Sequence, residues 1–247
     1  MWSTTKRNEE INAFQRREIL SLAAAGPERA QAESLRPHYT RIGEWLPGGT
    51  GERVLELGCG PGRYVALLGA LGYDVVGVDP LLFPLWEEIK ALRPVEFQHG
   101  IKAESLPFPD ASFDHVACVS ALLYFDDADK ALFEMRRVLK PGGKLFMRTV
   151  SSTNLRRRFA KTNIDPAAKN YFDENELRAF LVKGGFEVTK TFSYGFFPPV
   201  MTTLWWYLCN GKIPLGVQEK LSGLTPPSLR VTAIAFAQLT AHEQAKD

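Results

Sequence analysis

Residues 54–62 read Val-Leu-Glu-Leu-Gly-Cys-Gly-Pro-Gly. An apolar run carrying one acid ends in three alternating glycines, Gly58, Gly60 and Gly62. A helix-like run, 64–71, follows, and a second apolar run, 74–78, ends in Asp79. Strand, glycine turn, helix and a strand ending in an acid is the layout of a nucleoside-binding βαβ unit. Glycine lets the backbone approach a ligand that a Cβ would repel. An acid closing the second strand can accept both hydroxyls of a ribose. The loop spacing is G-x-G-x-G, and Arg63 holds the position that a third dinucleotide glycine would take. Glu56, just before the loop, repels a pyrophosphate and attracts an ammonium or sulfonium. The pocket suits an adenosine with a cationic amino-acid tail better than NAD.

Outward from this unit the pattern alternates. Strands are expected at 53–57, 74–78, 95–98, 113–118 and 143–149, and helices at 63–71, 83–92 and 126–139. Such alternation predicts a doubly wound α/β fold with a mostly parallel sheet. In the 126–139 helix, Asp126 or Asp127 can cap the start, and Leu132, Met135, Val138 and Leu139 form one apolar face. Pro141-Gly142-Gly143 is expected to end it. Later, Asp173–Gly184 reads as a capped helix, and 186–192 and 230–239 alternate like strands. Upstream, 6–24 and 28–45 read as two helices split by Gly26-Pro27.

Four blocks in order carry a family likeness: 54–62, 75–80, 103–114 (Ala-Glu-Ser-Leu-Pro-Phe-Pro-Asp-Ala-Ser-Phe-Asp) and 136–145 (Arg-Arg-Val-Leu-Lys-Pro-Gly-Gly-Lys-Leu). The chain resembles the class I S-adenosylmethionine-dependent methyltransferases, in the subgroup that includes the ubiquinone and menaquinone methyltransferases. The resemblance covers about residues 50–150 well and 171–192 weakly. It implies a Rossmann-like seven-stranded sheet with an antiparallel last strand. It divides the chain into an N-terminal helical lid, 1–47, and a catalytic domain, 48–247, with an apolar insertion at 193–216.

The resemblance also implies a donor site for S-adenosyl-L-methionine. Glu56 would hold its cationic end, and Gly58, Cys59, Gly60 and Gly62 would form the loop. Asp79 would take the ribose, with Pro80 and Leu81 beside the adenine. Ala103 and Glu104 would meet the adenine edge; Lys102 stands where relatives often have an aspartate. Ser120 would line the other side. The acceptor side is less defined. Tyr124 occupies a position where relatives often have histidine, and a phenol near pKa 10 is a poor base at neutral pH. His38, in the lid segment, is the other candidate base, and no metal site is expected. The expected reaction moves the methyl group to a small apolar or aromatic acceptor, O-methylation favoured, by in-line displacement. A non-catalytic donor-binding protein and an NAD-dependent oxidoreductase are the competing classes.

Composition sets bounds. At 247 residues, 45% hydrophobic and 23% charged, the chain is an ordinary globular size and mixture. A net charge of +2 is too small to draw nucleic acid by bulk charge. Three scattered cysteines, with no C-x-x-C, give neither a disulfide frame nor a zinc site. The N-terminal residues lack the apolar stretch of a signal peptide, and a cytoplasmic monomer or homodimer is expected. Arg156-Arg157-Arg158 reads either as a solvated turn or as a clamp for an anionic acceptor. The insertion, with Phe196 and Trp205, is compatible with core, with a pocket wall, or with a peripheral membrane contact. Phe14 and Trp45 are further candidates for pocket wall or for core. Removal of residues 1–24 is expected to leave a folded protein that loses turnover more than donor affinity.

Overall fold

The runs rich in valine and leucine pair into one sheet, and the amphipathic runs cover it. A computed structural model describes residues 13–36, 39–151, 167–194 and 232–240. In chain order the elements are α1 (Ala13–Ala23), α2 (Pro27–Ser34), a 3-10 turn (Ile42–Glu44), β1 (Arg53–Leu57), α3 (Arg63–Ala70), β2 (Asp74–Asp79), α4 (Leu85–Leu92) and β3 (Glu96–His99). There follow β4 (Phe113–Val119), a second 3-10 turn (Leu122–Tyr124), α5 (Ala128–Val138), β5 (Leu139–Val150), α6 (Glu174–Lys183), β6 (Phe186–Tyr194) and β7 (Thr232–Leu239).

The sheet runs β3-β2-β1-β4-β5-β7-β6. Strands β1 to β5 pair in parallel, and β7 runs antiparallel to both β5 and β6. This is the expected Rossmann-like sheet. Chain direction across the sheet reverses between β1 and β4, so a crevice opens at their C-terminal ends.

Each strand sends alternate side chains to opposite faces. Leu55, Leu57, Val116, Cys118 and Met147 meet Leu132 and Met135 of α5 and Leu177 and Leu181 of α6. Val54, Val75, Ala117 and Phe146 meet Val65 and Leu68 of α3 and Ile89 of α4. Ile19 and Leu22 of α1 join this second core and are fully buried there. Arg93 ties the layers further, donating to the carbonyls of Ala23 (2.8 Å), Ala25 (2.7 Å) and Gly69 (3.2 Å). Packing speaks against the truncation expectation: α1 is core for this face, and removing it would uncover α3 and α4.

Two local expectations are also corrected. The predicted 28–45 helix stops at Ser34, and Thr40 and Arg41 take left-handed backbone before the 3-10 turn. Pro37 explains the stop, since the residue before a proline is disfavoured in helical conformation. Pro141-Gly142-Gly143 does not end α5. The helix ends when Leu139 turns extended, and the Pro-Gly-Gly residues lie inside β5. There the register shifts, so that Phe113 and His115 pair with Leu139 and Lys144, and the surplus residues form a bulge. Helix α5 is capped as its sequence foretells, Asp127 accepting from the Lys130 N–H at 2.9 Å.

Candidate functional site

The loop after β1 is fixed by backbone contacts to β2. The Gly58 and Cys59 N–H groups both donate to the Val78 carbonyl, at 2.8 and 3.0 Å. A Cβ on Gly58 would stand 2.3 Å from that of Ala121, so only glycine fits where the ends of β1 and β4 come together. Gly60 is different: nothing lies within 4 Å of where its Cβ would be. Its backbone, at φ +51°, faces open space and leaves room for a ligand. Gly62 caps the start of α3 against Ile89 and Phe97.

Asp79 closes β2 and is 8% exposed. One carboxylate oxygen accepts from the Gly60 N–H and the other from the Leu81 N–H, each at 2.9 Å. Burial raises its pKa, while these two N–H groups pull it back. A carboxylate has about four acceptor positions, so each oxygen keeps one for a hydroxyl. Pro80 is exposed and Leu81 half-buried at the cleft mouth. Trp86 adds a clamp that sequence reading missed: its Nε1–H donates to the Gly60 carbonyl at 2.8 Å. Its ring stacks on Phe97 at 4.8 Å.

Glu56 is 2% exposed, and its Oε2 has no hydrogen-bond partner among the described residues. Burial pushes its pKa well up, opposed by a backbone N–H from Val65 and reinforced by the charge of Asp79. A buried acid left this way costs free energy unless a cation or donor meets it. Arg63 points to α1, where it pairs with Glu18 at 3.1 Å. Glu18 also accepts from the Tyr39 hydroxyl at 2.6 Å, and the Thr40 and Tyr64 hydroxyls meet at 3.1 Å. This network moors the N-terminal helices to the first turn of α3.

Beyond β4 the edge is held differently. Ser120 has φ +60°, unusual for a residue with a Cβ. Its N–H donates to the Arg148 carbonyl at 2.8 Å, and its hydroxyl accepts from the Arg148 guanidinium. Tyr124 is 41% exposed in its 3-10 turn. Asn170 clasps that turn, its side-chain amide donating to the carbonyls of Leu122 (3.1 Å) and Phe125 (2.7 Å). Asp126 bridges Lys102 at 3.0 Å and Lys169, and the two ammonium groups hold its pKa down at about 2.

Several candidate residues stand elsewhere than expected. The Cys59 thiol turns inward, 3.0 Å from where a Gly77 Cβ would be, and burial with the nearby acids pushes its pKa far up. The side chain belongs to the core rather than to the donor pocket. Glu104 uses Oε1 to accept from the Asp126 and Asp127 N–H groups at 2.7 and 3.2 Å, holding the start of α5. Ala103 is buried in the α5-side core. Trp45 packs on the β5–β7 part of the sheet, its carbonyl accepting from Lys144 of β5 at 3.1 Å and its ring 5.5 Å from Phe236. Its ring packs against the core on that face. Phe14 is 74% exposed on α1. His38, Phe196, Trp205, Arg156–Arg158 and nearly all of the 193–216 insertion lie outside the described residues. Among the described residues no cluster of three His, Cys, Asp or Glu side chains could hold a metal. No helix among them is long and apolar enough to cross a membrane.

Known proteins resemble this arrangement. The family described as Methyltransferase domain matches residues 55–147. A malonyl-[acyl-carrier protein] O-methyltransferase of Erwinia billingiae is 34% identical over 131 residues, covering 53% of this chain and 49% of that protein. The chain thus spans about half the length of such curated relatives. The crystal structure of the YcgJ protein of Bacillus subtilis superposes with a TM-score of 0.58 at 20% identity, over 82% of this chain and 99% of that one. A 1,6-didemethyltoxoflavin-N1-methyltransferase of Burkholderia thailandensis, solved with S-adenosylhomocysteine, gives 0.58 at 18% identity, over 94% and 90%. These two likenesses concern the fold. The narrower likeness to quinone methyltransferases is not carried by these matches.

Proposed function

We propose that the chain is a class I S-adenosylmethionine-dependent methyltransferase that transfers the methyl group of that donor to a small acceptor with an apolar or aromatic body. The observation that carries the donor reading is the unpartnered, buried Oε2 of Glu56 beside a glycine loop with open space at Gly60. A pyrophosphate would meet repulsion there, whereas an ammonium or sulfonium completes the shell of the carboxylate. Asp79 takes the ribose hydroxyls on the acceptor positions it has left. Leu81 lies along the adenine, and the 101–104 backbone, braced by Glu104 and Asp126, meets its edge. Ser120 lines the far side. The name of the Erwinia relative supports oxygen as the atom methylated.

S-adenosylmethionine, when bound, supplies a methyl already activated by a positive sulfur. What this chain adds is alignment and exclusion of water. Gly58 and Ala121 set the floor of the crevice, and the Asn170 clasp fixes the turn that carries Tyr124. Tyr124 orients the acceptor and does not need to act as a base. The 1–47 segment, moored through Glu18, Tyr39 and Arg63, closes the donor side as a cap.

Glu56 gives the reading its sharpest test. Its pKa is raised in the free protein, and a bound cation favours the ionised form. Below that raised pKa, binding of S-adenosylmethionine releases a proton, and donor affinity falls as pH drops. Calorimetry in two buffers of different ionisation heat reads the proton directly. We expect micromolar donor binding with proton release, and loss of the pH dependence in Glu56→Gln. NADH binding with no affinity for the donor would overturn the assignment.

A further inference from the structure

Arg148 is not used by the donor site. It sits in β5 paired with Val119 of β4, one step beyond the last β1 pair, Leu57 with Cys118. It is therefore level with Gly58, two strands away, roughly 10 Å across the sheet. It comes two residues after Phe146 and so projects from the same sheet face as Phe146 and Glu56. Its Nη1 is held by the Ser120 hydroxyl, while its Nε is buried without a partner among the described residues. No carboxylate among the described residues pairs with it. Arginine is a forked donor of fixed charge, suited to a planar oxyanion.

Donor contacts run from Asp79 on β2 to Glu56 on β1, so the acceptor must approach from the β4–β5 side. Glu56 and Asp79 lie on the donor half; on the other, Lys102 and Lys169 are paired with Asp126, whereas Arg148 has no carboxylate partner among the described residues. Below it that face is closed by packed rings, Phe146 and Phe236 buried in the core, with half-buried Phe192 5.8 Å from Phe236. We propose that Arg148, tethered by Ser120, is a specificity-determining residue that anchors an anionic oxygen group, a carboxylate on an apolar body, of the acceptor. The inference deepens the methyltransferase reading and rests on it. Arg148 binds the anchoring group and is not asked to activate the atom that is methylated, because a cation on the nucleophile would weaken it. The strained backbone of Ser120 is then the means of aiming the guanidinium.

Benzoate and its neutral counterpart benzamide are suitable probes of the full chain, with and without S-adenosylhomocysteine. We expect benzoate to bind at least ten times more tightly than benzamide and to shift the Nε–H resonance of Arg148. Arg148→Gln should weaken benzoate at least tenfold while leaving benzamide and S-adenosylhomocysteine within about threefold. If Arg148→Gln does not fold, Arg148→Lys and the resonance shift in the unaltered protein decide. Equal binding of benzoate and benzamide, or benzoate binding untouched by Arg148→Gln, would overturn the proposal. Failure of S-adenosylhomocysteine to bind the unaltered protein would instead strike the donor reading, and the benzoate titration of the free chain would still report on Arg148.

Discussion

Around β1 and β2 the cleft is held by short-range contacts to the main chain of the loop: Gly58 and Cys59 donate to the Val78 carbonyl, and the Asp79 carboxylate and the Trp86 indole meet the Gly60 backbone. Around β4 and β5 it is held by side chains from distant segments. Arg148 reaches Ser120, Asn170 reaches the carbonyls of Leu122 and Phe125, and Lys169 reaches Asp126. The contrast teaches where chemical identity resides. A donor that never changes can be gripped by a rigid main chain. An acceptor that differs between enzymes of one fold is met by side chains, which change without disturbing the sheet.

The comparison can be broken first at its foundation. Deleting residues 1–24 removes Ile19 and Leu22 from the core, each buried completely or nearly so. Losses of about 2–5 kcal/mol for each large side chain approach the whole stability of a domain. The truncated chain should show no cooperative unfolding by circular dichroism. A folded truncation with intact donor affinity would mean that the donor half stands without α1.

Asp79→Ala probes the backbone-held half next. It removes the ribose acceptor and leaves the Gly60 and Leu81 N–H groups without their partner. With charge-assisted bonds worth about 1.5–3 kcal/mol each, donor affinity should fall about 100-fold or more. Calorimetry reads this, and an unchanged affinity would take Asp79 out of the site.

The smallest effect belongs to the other half. Asn170→Ala removes two hydrogen bonds to backbone carbonyls, for a loss of about 1–3 kcal/mol in stability. Donor affinity should stay within about twofold while turnover drops, as the Tyr124 turn loosens. Equal losses in both would show that the two halves are not separable.

The donor half was legible because its signals are local. A glycine at Gly58, an acid two residues earlier and an acid closing the next strand lie within a short span of chain, and their roles follow from strand alternation and loop sterics. Trp86 escaped notice because its partner, the Gly60 carbonyl, carries no sequence signature. The direction of the Cys59 side chain was not legible, because sequence does not say which way a loop side chain turns. Whether Trp45 was wall or core was not legible, because an aromatic before the first strand gives no sign of which strands it packs on.

By itself the sequence determined the alternating fold, the glycine loop after β1 and the capped start of α5, since periodicity, glycine spacing and capping act over a few residues. The tertiary structure alone decided that α1 is core, that Pro141-Gly142-Gly143 is a bulge, and that Ser120 meets Arg148 across 28 residues. The reason is strand order. Which residues become neighbours across β4, β5 and β7 depends on a crossover and an antiparallel return, and no local pattern encodes the register they adopt.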